Sequence, residues 1–288
     1  MPQFDSARSS TFNLAGKTVH RLGFGAMRLA DPDIWGPPTD RDNSIRVARR
    51  VVELGLDVID TADVYGFGAT EDILREALHP YPEHLLIATK VGQVQTRPRE
   101  WVPLGRPEYL RQQCEASLRR LQVERIDLLQ LHRVDPQVPL EDQVGELKAL
   151  QDEGKIGAVG LSEVSVEQID TARAIVEIVS VENIYNLAVR AWDPVVDYCT
   201  RERIAFLPWF PIASGALVAA EGVAAQIAKE VGATPAQLAL AWLLARSDVM
   251  IPIPGTSSIA HLEENTMADQ IKLTSEQFSA LLALPVEQ

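Results

Sequence analysis

Eight short apolar, β-branched runs alternate with eight segments of helical spacing along a chain of 288 residues. This alternation predicts an α/β fold, a (β/α)8 TIM barrel with a short N-terminal β-hairpin. Each pair of parallel strands needs a crossover, which an amphipathic helix supplies. A barrel of this kind usually takes about 250 residues. Residues 1–288 therefore read as one barrel domain, with no linker, low-complexity tract or short internal repeat.

Residues 11–21, Thr-Phe-Asn-Leu-Ala-Gly-Lys-Thr-Val-His-Arg, read as two strands around an Ala-Gly-Lys bend and predict the hairpin. The apolar runs place strands at 22–26, 57–61, 85–91, 126–132, 156–162, 178–184, 204–210 and 249–254. Helices are expected at 42–54, 70–78, 107–121, 140–153, 165–175, 192–201, 234–246 and 258–268. In the first, Ile45, Val47, Ala48, Val51, Val52 and Leu54 share one side and arginines the other. Pro107 suits a first helical position, and Thr234-Pro235 reads as an N-cap followed by proline. Gly55, Gly154 and Gly232 suit helix C-termini. An open doubly wound sheet uses the same units. It would place Gly-x-Gly-x-x-Gly after the first strand, and Gly23-Phe-Gly-Ala-Met27 lacks the third glycine.

The net charge of −13 opposes binding to nucleic acid, which needs a basic surface. Cys114 and Cys199 are the only cysteines, too few for a disulfide framework or a thiolate metal cluster. The first ten residues lack the apolar centre of a signal peptide, and no uncharged apolar run approaches 18 residues. A cytoplasmic, membrane-free protein is the expectation.

In a barrel of this type, chemistry collects at the carboxyl ends of the strands. The second strand ends at Asp60, with Tyr65 five residues later; the third ends at Lys90 and the fourth at His132. With five histidines and five tyrosines in the chain, either type falls at a chosen position only about 2% of the time. A free phenol, with a pKa of about 10, is a poor proton donor at neutral pH. A lysine ammonium beside Tyr65 is expected to lower that value, and Asp60 to hold Lys90 in place and charged. His132 would hydrogen-bond and polarise a substrate carbonyl oxygen. No metal-ligand set is present, so these side chains must supply the electrostatic help.

The sequence resembles the aldo-keto reductase family over nearly its whole length. The matching pieces are Gly23-Phe-Gly-Ala-Met27, Ile59-Asp-Thr-Ala-Asp-Val-Tyr-Gly66, Lys90, His132, Gly160-Leu-Ser162 and Val181-Glu-Asn-Ile-Tyr-Asn186. Pro211-Ile-Ala-Ser-Gly215, Ile253-Pro-Gly-Thr-Ser-Ser258 and Glu264-Asn265 complete the set. The resemblance implies a monomer or weak homo-oligomer that binds NADPH in extended form and reduces an aldehyde or ketone. Asp60, Tyr65, Lys90 and His132 carry over as the catalytic tetrad. Within the family, Trp35-Gly-Pro-Pro-Thr-Asp-Arg41 and the compact loops are similar to bacterial pyridoxal reductases. That makes pyridoxal, reduced to pyridoxine, a candidate substrate.

The resemblance also implies the cofactor residues. Ser162 matches the residue that holds the carboxamide; Glu163 stands where asparagine is common, and Glu182 replaces a glutamine that contacts the nicotinamide. Trp209 stands where an aromatic ring stacks on the nicotinamide, or it packs in the barrel. Pro211 and Gly215 fall in a cofactor-binding motif. Many relatives hold the 2′-phosphate with a lysine and an arginine where this chain has Gly255 and His261. Here Thr256, Ser257 and a helix N-terminus would hold the phosphate, and Glu264 and Asn265 the adenine. Ser257 or Ser258 also reads as an N-cap. NADPH is the expected cofactor, with NADH as the alternative. Trp35, Phe67 and Trp101 either line the substrate entrance or serve as surface and core aromatics.

Two other functions fit this pattern. A non-catalytic cofactor-binding regulatory subunit on the same barrel would show no aldehyde-dependent loss of NADPH absorbance. A Schiff-base enzyme would use Lys90 as nucleophile; Asp60 opposes this, because a paired lysine stays protonated.

Overall fold

The structure, a computed structural model, describes residues 11–212 and 222–286. The hairpin comprises β1 (Thr11–Leu14) and β2 (Lys17–His20). Ala15 and Gly16 turn it with φ of 51° and 82°, the left-handed pair that a two-residue turn between twisted strands requires. Leu14 and Val19 face inward and are fully buried. The polar side chains tie the hairpin to the amino ends of barrel strands. Lys17 Nζ donates to the Leu85 carbonyl and to Asp127 at 2.9 Å, and the His20 amide donates to Asp57 at 3.0 Å.

Seven strands then form one parallel sheet. They are β3 (Phe24–Gly25), β4 (Val58–Asp60), β5 (Leu86–Val91), β8 (Ile126–Leu131), β9 (Ile156–Ser162), β10 (Ile178–Glu182) and β11 (Ala205–Phe206), in spatial order β11-β10-β9-β8-β5-β4-β3. Residues 249–254 fill the eighth place without forming a regular strand. On one side the Ile251 amide donates to the Phe206 carbonyl at 2.8 Å; on the other the Gly23 and Gly25 amides donate to the carbonyls of Pro252 and Pro254. Proline has no N–H, so this segment can only accept along that edge, and the ladder stays irregular. The barrel nonetheless closes. Its seam is tight: a Cβ on Gly25 would lie 2.8 Å from the Ile253 carbonyl oxygen, and one on Gly255 would lie 2.7 Å from that of Gly25.

The eight expected helices occur as α1 (Arg41–Glu53), α2 (Ala69–Leu78), α3 (Pro107–Leu121), α4 (Leu140–Asp152), α5 (Val166–Arg173), α6 (Asp193–Glu202), α8 (Pro235–Arg246) and α9 (Ile259–Thr266). Pro107 takes the first position of α3, and Thr234 caps α8 in a capping box with Gln237. The described residues also form elements that were not expected, among them a hairpin of β6 (Gln93–Arg97) and β7 (Glu100–Pro103), and helices α7 (Val223–Glu230) and α10 (Ser275–Leu282). Helix α8 explains the last. It buries Leu238 to Leu244 without interruption, and a helix apolar all round must be covered on every side. Phe278 of α10 stacks on Trp242 at 6.1 Å, and Tyr185 stacks on it at 5.9 Å. Burial of large apolar side chains of this kind contributes about 1.5–3 kcal/mol each. Among the described residues, no helix is long and apolar enough to cross a membrane.

Candidate active site

Asp60 ends β4, Lys90 lies at the penultimate position of β5, His132 directly follows β8, and Glu182 ends β10. Their side chains meet inside the barrel. Lys90 Nζ donates to Asp60 Oδ2 and to the Thr61 carbonyl at 3.0 Å. It also pairs with Glu182 Oε2 at 3.2 Å. Strand β5 is separated from β10 by β8 and β9, so this last contact spans the interior. Between them, Gln130 Nε2 donates to Glu182 at 2.8 Å and to Asp60 at 3.2 Å. Its carbonyl oxygen accepts from Ser180 Oγ at 3.0 Å. Gly160 makes this possible, since a Cβ there would lie 2.1 Å from Ser180 Oγ and 2.9 Å from Gln130 Cγ.

Tyr65 sits in the turn after β4 and is buried. Lys90 Nζ lies 5.4 Å from the centre of its ring, and His132 meets it edge-on at 5.8 Å. The structure thus brings the four expected tetrad residues together, and adds Glu182.

Electrostatics correct one expectation. The Tyr65 phenol is not made more acidic overall. Burial, aided by Asp60 and Glu182, outweighs the pull of Lys90 and Arg133 and leaves the phenol pushed up to about 12. Burial alone would lower the Lys90 ammonium, yet Asp60 and Glu182 outweigh it and hold the proton more firmly than usual. Burial, with help from Glu182 and against Lys90, pushes the Asp60 carboxyl well above its usual range. Burial first, then Lys90 and Arg133, drives His132 well below its usual value, so its ring is neutral.

The rim beyond β8, β9 and β10 is organised by protein contacts. Arg133 donates to the His132 carbonyl at 2.7 Å and to Ser162 Oγ at 3.0 Å, with its guanidinium 5.9 Å from the Trp209 ring. Glu163 accepts from Trp209 Nε1 at 2.7 Å and from the Ile184 amide. Its φ of 54° is one that asparagine adopts more easily than glutamate. Trp209 is half-buried and bridges in parallel to Ile184. Pro211 is buried nearby in sequence, and Gly215 lies outside the described residues.

At the expected phosphate end, Ser258 proves to be the N-cap of α9, accepting from the His261 amide. Thr256 Oγ1 accepts from the Ser258 amide at 3.0 Å, and Asn43 Nδ2 donates to the Ser257 carbonyl at 2.8 Å. Gly255 and His261 are exposed. Glu264 is tied to α8 through Thr234 Oγ1, and Asn265 is buried. The exposed Arg28 runs past this loop, its Cγ 3.7 Å from where a Cβ of Gly255 would be.

Sequence reasoning passed over Gln130, Ser180, Arg133 and Arg28. Gln130 carried a signal, being a polar residue inside the apolar run Leu128-Leu-Gln-Leu131. Aromatic residues wall one side. Trp35 meets Phe67 edge-on at 4.7 Å, and Trp101 meets Tyr65 at 6.3 Å. Trp101 packs with Met27 and Ile34 against Ala62, Val64 and Tyr65. Residues 31–36 are fastened by the Trp35 amide donating to Asp31 at 2.8 Å and by an Arg99–Asp33 ion pair at 2.8 Å.

A parallel barrel with this buried cluster at the carboxyl ends of its strands has the build of a barrel oxidoreductase. Residues 21–284 match the aldo/keto reductase family model, and the chain belongs to that family. It is 47% identical to an uncharacterized oxidoreductase of Schizosaccharomyces pombe, across 96% of this chain and 90% of the other. It is 41% identical to pyridoxine 4-dehydrogenase of Escherichia coli, across 95% and 97%. Among solved structures it resembles an aldo/keto reductase from Klebsiella pneumoniae in complex with NADP and acetate, with TM-score 0.80, 25% identity, and 96% of each chain covered.

Proposed function

We propose that this protein reduces an aldehyde or ketone to an alcohol with NADPH, Tyr65 being the proton donor, and that pyridoxal is a substrate. The observation that carries the reading is the buried group of Tyr65, Lys90, Asp60 and His132 on neighbouring strand ends. The residues present suit a nicotinamide dinucleotide. Trp209 offers a flat ring, Ser162 and Arg133 offer polar groups beside it, and the Gly255 loop, Thr256 and the start of α9 offer donors to phosphate, with Arg28 as a cation. When bound, the cofactor supplies the hydride.

The remaining work belongs to side chains. His132 has a neutral ring whose Nδ1 is buried without a partner among the described residues, and in the tautomer that carries its proton on Nε2 it donates to a carbonyl oxygen. Tyr65, fully protonated at neutral pH, gives its proton to that oxygen as negative charge grows there. Lys90 then lies beside the phenolate that results. A Schiff-base role for Lys90 is opposed by its pairing with the Asp60 and Glu182 carboxyl groups, which keeps it an ammonium. The pyridoxal assignment draws on likeness to pyridoxine 4-dehydrogenase, together with the aromatic wall of Trp35, Phe67 and Trp101 suited to a flat ring.

The test is a panel of aldehydes and ketones that includes pyridoxal, each with NADPH and NADH, followed by loss of cofactor absorbance. Tyr65→Phe should retain cofactor binding and turn over about 10²–10⁴-fold more slowly. Full activity in that variant would overturn the mechanism, and absence of turnover with every carbonyl would overturn the function.

A further inference from the structure

We infer that Asp60 and Glu182 form a carboxyl pair around Lys90 that holds one proton beside a neutral ligand and releases it to solvent when a cation is seated next to it. The inference rests on the proposed function. Its consequence is that an oxidised nicotinamide, which is cationic, binds with release of a proton, whereas a reduced one does not.

The geometry sets up a charge imbalance. Lys90 is fully buried and pairs with both carboxyls, whose side chains are each 4% exposed. Two carboxylates against one ammonium leave an uncompensated negative charge in the barrel interior, which is costly to bury. Gln130 does not relieve it, because its amide is neutral. By donating to both carboxyls while its oxygen is occupied by Ser180, it holds them close and fixes their spacing. Two like charges that close oppose each other's ionisation. In keeping with this, the Asp60 carboxyl is held well above its usual range.

Among the described residues, the surrounding groups do not supply the missing positive charge. After β8, His132 is neutral and Arg133 is directed to the His132 carbonyl and Ser162. After β4, Tyr65 is protonated, and Asp63 is a further buried carboxyl whose affinity for a proton is raised by burial and by Glu71. After β9, Glu163 is engaged by Trp209 and the Ile184 amide. Glu182 itself pairs in register with Ser162, so it underlies the rim that the functional reading gives to the nicotinamide. A cation placed there completes the balance and makes the proton dispensable.

The experiment is equilibrium binding of NADP⁺ and of NADPH to the full chain, followed by tryptophan fluorescence from pH 5.5 to 8.5. The 2′-phosphate, with a pKa of about 6, titrates in both cofactors, so the ratio of the two dissociation constants is the readout. As pH rises, that ratio should move in favour of NADP⁺ by up to about tenfold per pH unit, the slope of one proton. Calorimetry of NADP⁺ binding in two buffers of different ionisation enthalpy should register the released proton. Glu182→Gln should flatten the slope and weaken NADP⁺ about tenfold relative to NADPH. A ratio independent of pH in the unaltered protein, or one unchanged by the substitution, would overturn the inference and leave the reductase reading standing. If neither cofactor binds, both fall together.

Discussion

Glu163 accepts a hydrogen bond from the indole of Trp209 at 2.7 Å, so a carboxylate on one loop sets the angle of a ring on another. The same oxygen accepts from the Ile184 amide, which locks the glutamate itself. Glu163→Ala should let the indole turn and weaken cofactor binding about 3–10-fold, the worth of one hydrogen bond. Fluorescence titration checks this. Unchanged affinity would mean that Trp209 is held by packing alone.

The raised Tyr65 phenol predicts different pH behaviour for the two directions of reaction. A phenol pushed up to about 12 keeps its proton near neutrality, and in the proposed mechanism carbonyl reduction draws on that proton. Reduction should therefore show no alkaline decline assignable to Tyr65 below pH 10. In the same proposed mechanism alcohol oxidation draws on the phenolate, whose fraction grows about tenfold per pH unit below the pKa. Initial rates with saturating substrates from pH 6 to 10 would show both limbs, and a plateau of oxidation near neutrality would contradict the assignment.

The barrel seam at Gly25 and Gly255 has no room for a methyl group. Gly25→Ala and Gly255→Ala should each destabilise the fold by about 1–3 kcal/mol, visible as a lower thermal midpoint. Gly145 within α4 has nothing within 4 Å of an added Cβ. There, Gly145→Ala should instead stabilise by about 0.5–1 kcal/mol. A seam variant as stable as the unaltered chain would show that residues 249–254 shift at little cost.

Glu71 of α2 is fully buried, pairing with Arg120 Nε at 2.6 Å and accepting from Thr89 Oγ1 at 2.6 Å. Arg120 remains 22% exposed, so its charge can be partly hydrated if the partner is lost. Glu71→Ala should cost about 2–4 kcal/mol in urea unfolding. A loss below about 1 kcal/mol would mean that solvent already screens the pair.

Much of the fold was readable because local signals and burial agree. Helix α3 begins at Pro107 as expected, and α1 shows its apolar stripe directly. The runs at 86–91 and 156–162 carry continuous apolar character because strands covered on both faces lose the alternation of half-buried ones. Residues 249–254 were recognisable as a barrel position, yet two prolines keep them from forming a regular strand. The β6–β7 hairpin was hidden because half of it is solvent-facing and its turn, Pro98-Arg99, carries no glycine. For α10 a signal existed in Thr274-Ser-Glu-Gln277, which forms a capping box.

The site divides in the same way. Asp60, Lys90 and His132 were legible as polar residues ending apolar strands. The contact between Lys90 and Glu182 was not, since 92 positions separate them and only closure of the barrel brings them together. The net direction of the Tyr65 shift was hidden for a related reason. Counting nearby cations omits the cost of removing a phenol from water, and here that cost prevails.

Because Lys17 and His20 fasten the first hairpin to the amino ends of the strands, the barrel is stoppered at its floor. The aromatic wall and the charged rim stand at the opposite mouth. Alterations to the stopper should change how long the molecule survives heat, while alterations to the mouth should change what it transforms.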